Sequence, residues 1–184
     1  MAASEVCERN RIGVVVLGLL VVFAVTGART VGAAGRIDPC TLVTKADAEE
    51  VFGAVAKASA DPDYPGLAGS IYTLCAYAPG TGHALTPSIS VGLYQKAVDS
   101  KIPWDPNGLW KAQSAGFLDP NQEFGAPEKV AGLGDEAYWQ KGTATLYVFK
   151  KGVAYFDLTV RDAKDEPSLD TAKKLAAKVL ARLP

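Results

Sequence analysis

The chain has 184 residues, 19 of them basic and 20 acidic, with a formal charge of −1. No basic patch stands out, so the electrostatic drive for binding nucleic acid is missing. Beyond residue 34 about 150 residues remain, enough for one domain that buries roughly 70% of its unfolded surface.

The amino terminus reads as an export signal. Ile12 to Val25 is an apolar run behind Arg9 and Arg11, followed by Thr26, Gly27 and Ala28 and then the small residues Val31 to Ala34. Positive flank, short apolar core and small residues in that order make a signal peptide over residues 1–34, cut after Ala33 or Ala34, with Ala28 as a rival position. The alternative is an uncleaved anchor, because Ile12 to Ala28 is about the lower length limit for a bilayer span. Either way residues 35–184 are expected as a single exported domain, secreted, periplasmic or at the cell envelope. It would touch a membrane only through a retained leader. Cys7 precedes the apolar core and Cys40 follows Ile37-Asp38-Pro39, so neither sits where lipid is attached.

Two cysteines, Cys40 and Cys75, then face an oxidising compartment, where an even pair forms a bridge. Closing that loop stabilises the fold by roughly 3–4 kcal/mol on the chain-entropy model. A zinc site needs about four ligands, and the only histidine, His83, lies in a turn-like Gly82-His83-Ala84 stretch. The same residue is the only available base for a catalytic thiol.

Thr44-Lys45-Ala46-Asp47 predicts a helix start, with the Thr44 hydroxyl as cap and Asp47 at the positive end. Ala48, Val51 and Phe52 share a face, and Gly53 stops this short helix. Residues 61–69 form a loop; Ser70 to Ala78 is a strand carrying Cys75, and 79–87 is another loop. Ser88 to Tyr94 alternates cleanly, with Ile89, Val91 and Leu93 opposite Ser88, Ser90 and Gly92. Asn107 to Ala115 is a further helix, placing Trp110 and Ser114 on a shared face. Near the end comes a meander: Glu136–Gln140, a turn at Lys141-Gly142, Thr143–Lys150, a turn at Lys151-Gly152, and Val153–Arg161. Leu146 and Val148 alternate with Thr145 and Tyr147, and Phe156, Leu158 and Val160 with Asp157 and Thr159, which suits an antiparallel sheet with one covered face. Leu169, Ala172, Leu175, Ala176, Val179, Leu180 and Leu183 make Ser168–Leu183 an amphipathic helix packed on that sheet. The expected class is α+β: an antiparallel sheet with a short N-terminal helix and this C-terminal helix.

Residues 98–127 break the pattern. They hold Trp104, Trp110, Phe117 and Phe124 with little alternation, and runs of this kind are commonly functional or mobile. Two readings stay open for these aromatics: core covering the second sheet face, or a binding surface. Trp104-Asp105-Pro106-Asn107 and Leu118-Asp119-Pro120-Asn121 are turn initiators; a calcium loop would need about six oxygens at set spacing.

Catalytic patterns are sparse. A Gly-x-Ser-x-Gly elbow is missing, and Gly69-Ser70-Ile71 lacks its spacing. Gly132-Leu133-Gly134-Asp135-Glu136 lacks the lysine and preceding strand of a phosphate loop and reads as a turn into the meander. Asp135 and Glu136 point to opposite faces, a poor acid–base pair, although distant carboxylates stay open as a hydrolase. No catalytic, cofactor-binding or metal-ligating residue is assigned, and no cofactor is expected.

Ile37-Asp38-Pro39-Cys40-Thr41-Leu42-Val43-Thr44, then Val51-Phe52-Gly53, Cys75-Ala76-Tyr77 and Gly132-Leu133-Gly134-Asp135-Glu136-Ala137 together resemble a group of bacterial exported domains of unknown function. Those domains open with Asp-Pro-Cys, a Ser or Thr, two aliphatic residues and Thr. Many are lipoproteins, and this chain departs from them in lacking the lipid-bearing cysteine. The resemblance covers most of residues 37–183. It implies an extracytoplasmic α+β domain with a Cys40–Cys75 bridge and a fold similar to the PsbP-like sandwich, and it carries no activity. The expected function is a non-catalytic binding or interaction module at the cell envelope, with an envelope protein as partner. The alternatives are a carrier of a small apolar ligand and a carboxylate-based hydrolase.

Overall fold

Two side chains start the domain. The Asp38 carboxylate accepts the Cys40 N–H at 2.9 Å and opens α1, Pro39–Leu42. Two residues after its end, the Thr44 hydroxyl accepts the Asp47 N–H while the Asp47 carboxylate accepts the Thr44 N–H, a reciprocal cap on α2, Lys45–Phe52. Gly53, at φ 65°, ends α2 in the left-handed conformation that glycine adopts without penalty. The computed structural model describes residues 35–53, 56–60, 64–79, 88–119, 121, 123–162 and 164–184. The leader with its cut positions and His83 lie outside them.

The strands are β1 (Ala56–Ala60), β2 (Tyr64–Pro65), β3 (Ser70–Pro79), β4 (Ile89–Lys96), β5 (Glu128–Lys129), β6 (Glu136–Gln140), β7 (Thr145–Lys150) and β8 (Ala154–Val160). They form one sheet in the order β1-β3-β4-β8-β7-β6-β5, with β2 also on β3, and every pairing is antiparallel. The other helices are α3 (Pro106–Phe117) and α4 (Leu169–Arg182). The class is therefore α+β, as the meander and the terminal helix predict. Four-residue α1 and the short strands β1, β2 and β5 have too few residues to show a period, and sequence reading passes over them.

Topology explains where α3 lies. After β4 the chain leaves the sheet, and it re-enters at the far edge as β5 before working back through β6 and β7 to β8 beside β4. α3 is made in that crossing. Asp105 caps it by accepting the Gly108 N–H at 2.9 Å, with Pro106 at its first position, so the helix starts one residue before Asn107 and runs on to Phe117.

The first sheet face holds the main core. Ile89, Val91, Leu93, Leu146, Val148, Phe156, Leu158 and Val160 are fully buried there under α1 and α4. α4 contributes Ala172, Leu175, Ala176 and Val179. Burying Leu175 and Val179 contributes about 1.5–3 kcal/mol each. Cys40 on α1 is bonded to Cys75 on β3, with Cα atoms 5.2 Å apart and a separation of 35 positions in sequence. Asp47, buried on α2, takes Lys178 at 2.9 Å and Arg182, both from α4; Lys178 also reaches Glu50 at 2.8 Å and Arg182 donates to the Leu42 carbonyl at 2.7 Å. The buried carboxylate of this face is thus answered by cations of the chain itself.

Candidate functional site

The outward members of the same alternating strands build a second, different face. Pairing registers align them in rows across the sheet. One row reads Tyr64, Tyr72, Tyr94, Tyr155, Phe149, Glu136; the next reads Leu74, Gly92, Asp157, Tyr147, Tyr138, Lys129. A third contains Ser90, Thr159, Thr145 and Gln140, with the Thr145 and Thr159 hydroxyls 3.1 Å apart. This second face, which the aromatics of residues 98–127 were expected either to cover as core or to turn into a binding surface, is partly roofed by α3.

α3 is anchored by Trp110. Its ring stacks on Phe149 at 5.3 Å and 2°, meets Tyr155 edge-on at 5.0 Å, and its indole N–H donates to the Glu136 carboxylate at 3.4 Å. Seven residues on, Phe117 lies two turns along the same stripe and stacks on Tyr147 at 4.3 Å and 6°. The Gly152 N–H donates to the Asn107 side chain, tying the start of α3 to the β7–β8 turn. Stacked and edge-on pairs of this kind contribute about 0.5–1.5 kcal/mol each beyond area burial.

Between α3 and the sheet lies a cleft of about 390 Å³, walled by Tyr72, Tyr94, Tyr147 and Tyr155, by Thr145 and Thr159, and by Gln113, Gly116 and Phe117 of the helix. Asp157 forms its floor. The carboxylate accepts one hydrogen bond, from the Tyr72 hydroxyl at 3.2 Å. No other donor reaches it among the described residues. Since no buried side-chain oxygen among the described residues lacks a partner, the second carboxylate oxygen opens onto the cleft. Burial pushes the Asp157 carboxyl up to about 7, and the Tyr72 hydrogen bond offsets only part of that. Burial and the nearby Asp157 charge push Tyr94 up to about 12 and raise Tyr72, Tyr147 and Tyr155, so all four phenols stay neutral.

A glycine makes this arrangement fit. Gly92 stands opposite Asp157 on β4, and a Cβ there would come within 2.0 Å of the Tyr72 hydroxyl and 2.4 Å of its ring. The missing side chain lets the Tyr72 ring lean across β4 to reach Asp157. Tyr94 fills the space beside it, 4.7 Å from the Tyr72 ring and stacked on Tyr155 at 4.6 Å and 8°.

The four aromatics singled out in sequence separate here. Trp110 and Phe117 lie together on α3, 5.4 Å apart, and of the two Phe117 lines the cleft while Trp110 anchors the helix beside it. Trp104 lines another depression of about 320 Å³, with Ile37, Leu93, Val153 and Ala154. Phe124 is 54% exposed. Of the two Asp-Pro-Asn pieces, the first starts a helix, with Asp105 as the cap of α3, and in the second Asp119 forms a turn by accepting the Asn121 N–H at 2.9 Å. In Gly132-Leu133-Gly134-Asp135, Leu133 is buried, the Asp135 N–H donates to the Phe149 carbonyl at 2.8 Å, and its carboxylate accepts the Lys151 N–H at 2.8 Å. That segment is a turn.

Tyr72, Tyr94, Tyr147, Tyr155 and Asp157 were not assigned from sequence. Their signal was present in the outward half of each alternating strand, but only the strand order aligns them. A third depression, lined by Asp47, Glu50, Asp162 and Lys178 between α2 and α4, has its charges largely paired with one another. Among the described residues no His, Cys, Asp or Glu cluster has the size of a metal site, and no helix is long and apolar enough to cross a membrane. Comparison with protein-family models, with curated proteins and with solved structures finds no match to this chain.

Proposed function

We propose that the chain is an exported, disulfide-bridged, non-catalytic binding domain whose ligand site is the cleft between α3 and the second sheet face. One observation carries the reading: Asp157 stands on the floor of an aromatic cleft with a single protein donor. Its second oxygen opens onto the cleft, where a donor or cation of a ligand can take the place of water on a carboxylate that the fold answers with one phenol. The volume falls in the range of small-molecule sites, and the walls combine ring faces with a few polar groups. Export is supported by the apolar run ahead of residue 35 and by the Cys40–Cys75 bridge. The Asp-Pro-Cys opening and the bridge together also support kinship with the exported domains that share them.

The reading revises the idea of a purely apolar ligand, because hydrocarbon laid over Asp157 would leave its carboxyl without water or donor. It also leaves the paired-carboxylate chemistry of a glycosidase without its second group, since Asp157 is the one carboxylate among the described lining residues. Native mass spectrometry of the protein taken from its natural compartment tests the proposal. A small molecule should be retained by the native chain and absent from Gln113→Trp, which fills the cleft from the exposed helix without touching the Trp110 anchor. Equal occupancy in both forms, or none in the native chain, overturns it.

A further inference from the structure

We infer that the ligand of this cleft is a small organic cation, an alkylammonium or guanidinium group seated among the tyrosine rings with its charge against Asp157. The inference rests on the cleft being the binding site and names the class that fits it. Among the described lining residues Asp157 alone is charged; the others are phenols, threonines, a phenylalanine, a glutamine and a glycine. Among the described residues that line the cleft there is no lysine or arginine to neutralise it. This contrasts with Asp47, which holds two cations of the chain's own. The cleft therefore offers negative charge with no positive counterpart.

The walls favour the same class. Tyrosine rings are electron-rich on their faces, and a desolvated cation over such faces is attracted by the ring quadrupole. Tyr72, Tyr94 and Tyr155 form one continuous bank of rings on β3, β4 and β8, and Tyr147 on β7 stands on the other side of Asp157. An anion would meet both the carboxylate and the ring faces unfavourably. A metal ion would find one carboxylate where several oxygen ligands are needed.

Proton linkage follows from the groups that face Asp157. These are Tyr72 from β3, Tyr94 from β4, Tyr147 from β7 and Tyr155 from its own strand, while α3 presents the non-ionising Gln113 and Phe117. With its carboxyl pushed up to about 7, the empty cleft holds a proton over much of the neutral range. A cation binds the ionised form, so it expels that proton. Between pH 6 and pH 8 the ionised fraction rises about tenfold, and affinity for a cation rises with it.

The experiment is calorimetric titration of the purified protein with choline, n-butylammonium and n-butylguanidinium, against the neutral isosteres 3,3-dimethyl-1-butanol and n-butanol. It is run at pH 6 and pH 8 in buffers of different ionisation enthalpy. At least one cation should bind at least ~10-fold more tightly than its neutral isostere at pH 8, weaken about tenfold at pH 6, and release close to one proton there. Asp157→Asn, which folds without the buried charge, should abolish both the preference and the proton release. If a neutral isostere binds as well as the cations and Gln113→Trp blocks it, the cation class is overturned and the cleft reading stands. If no probe binds and none shifts the Tyr147 or Tyr155 ring resonances, both fall.

Discussion

Asp47 and Asp157 are two largely enclosed aspartates on opposite sides of one sheet, and the protein treats them in opposite ways. Burial acts to raise both carboxyls. At Asp47 that push is overcome by hydrogen bonds from Arg182, Lys178 and Thr44, which hold the group far below the usual carboxylate range. At Asp157 one phenol is all that answers it, and the carboxyl rises to about 7. The first charge joins α2 to α4, and its role is finished within the fold. The second is left open to the cleft, and the proposed ligand is placed there for that reason.

The largest effect should come from the staple on the Asp47 side. Replacing Cys40 and Cys75 with serine removes the tie between α1 and β3 and should lower stability by about 3–4 kcal/mol in denaturant unfolding. An unchanged midpoint would mean that helix packing alone orders this face. Asp47→Asn comes next, at roughly 2–3 kcal/mol near pH 7, because it removes a cap and leaves Lys178 and Arg182 without their shared anion. The Asp47 carboxyl is depressed in the folded state, so its contribution is complete above pH 4 and fades as pH falls below the ordinary carboxylate value. The gap between wild type and variant should therefore close in acid.

Asp157→Asn should move stability the other way, by about 2 kcal/mol at pH 8. A carboxyl raised in the folded state lowers stability as the pH climbs from its unfolded value to its folded one. That penalty is absent below pH 4, grows through neutrality and levels off above about pH 7. The variant should match wild type at pH 4 and exceed it at pH 8. A loss of stability at pH 8 would mean that Asp157 serves the fold as Asp47 does, and the contrast between the two faces would vanish.

How legible these faces were follows from the same contrast. Helix α2, its Thr44–Asp47 cap and its Gly53 stop can be read from neighbouring residues, because capping is local. The amphipathic repeat of α4 and the alternation of β4, β7 and β8 give the first face directly. The disulfide follows from cysteine number and compartment. The cleft resists, since Tyr72, Tyr94, Tyr147 and Asp157 come from four strands and become neighbours only through the β4–β8 pairing. That pairing joins strands separated by more than fifty residues, and no local period encodes it. Trp110 and Phe117 were visible as aromatics of an irregular stretch; that Trp110 anchors α3 and Phe117 walls the cleft above Asp157 depends on α3 crossing the second face.

Tyr72→Phe should give the smallest change, and it probes the comparison most finely. The substitution keeps the ring over Gly92 and its contact with Tyr94 while deleting the one donor that Asp157 has. The loss of a hydrogen bond to a charged acceptor is worth about 1 kcal/mol when the cleft can admit water in its place. Without that donor the carboxyl rises further above its unfolded value, so the cost appears only where Asp157 is ionised. Unfolding at pH 8 should show the full loss, and at pH 4 none. Carbon-detected NMR titration of the Asp157 carboxyl should give an upward shift in the variant, while the Asp47 resonance stays where it was. Should Tyr72→Phe cost as much at pH 4 as at pH 8, the hydroxyl would be serving ring packing instead of the carboxylate, and the row of tyrosines would have to be understood as a second core.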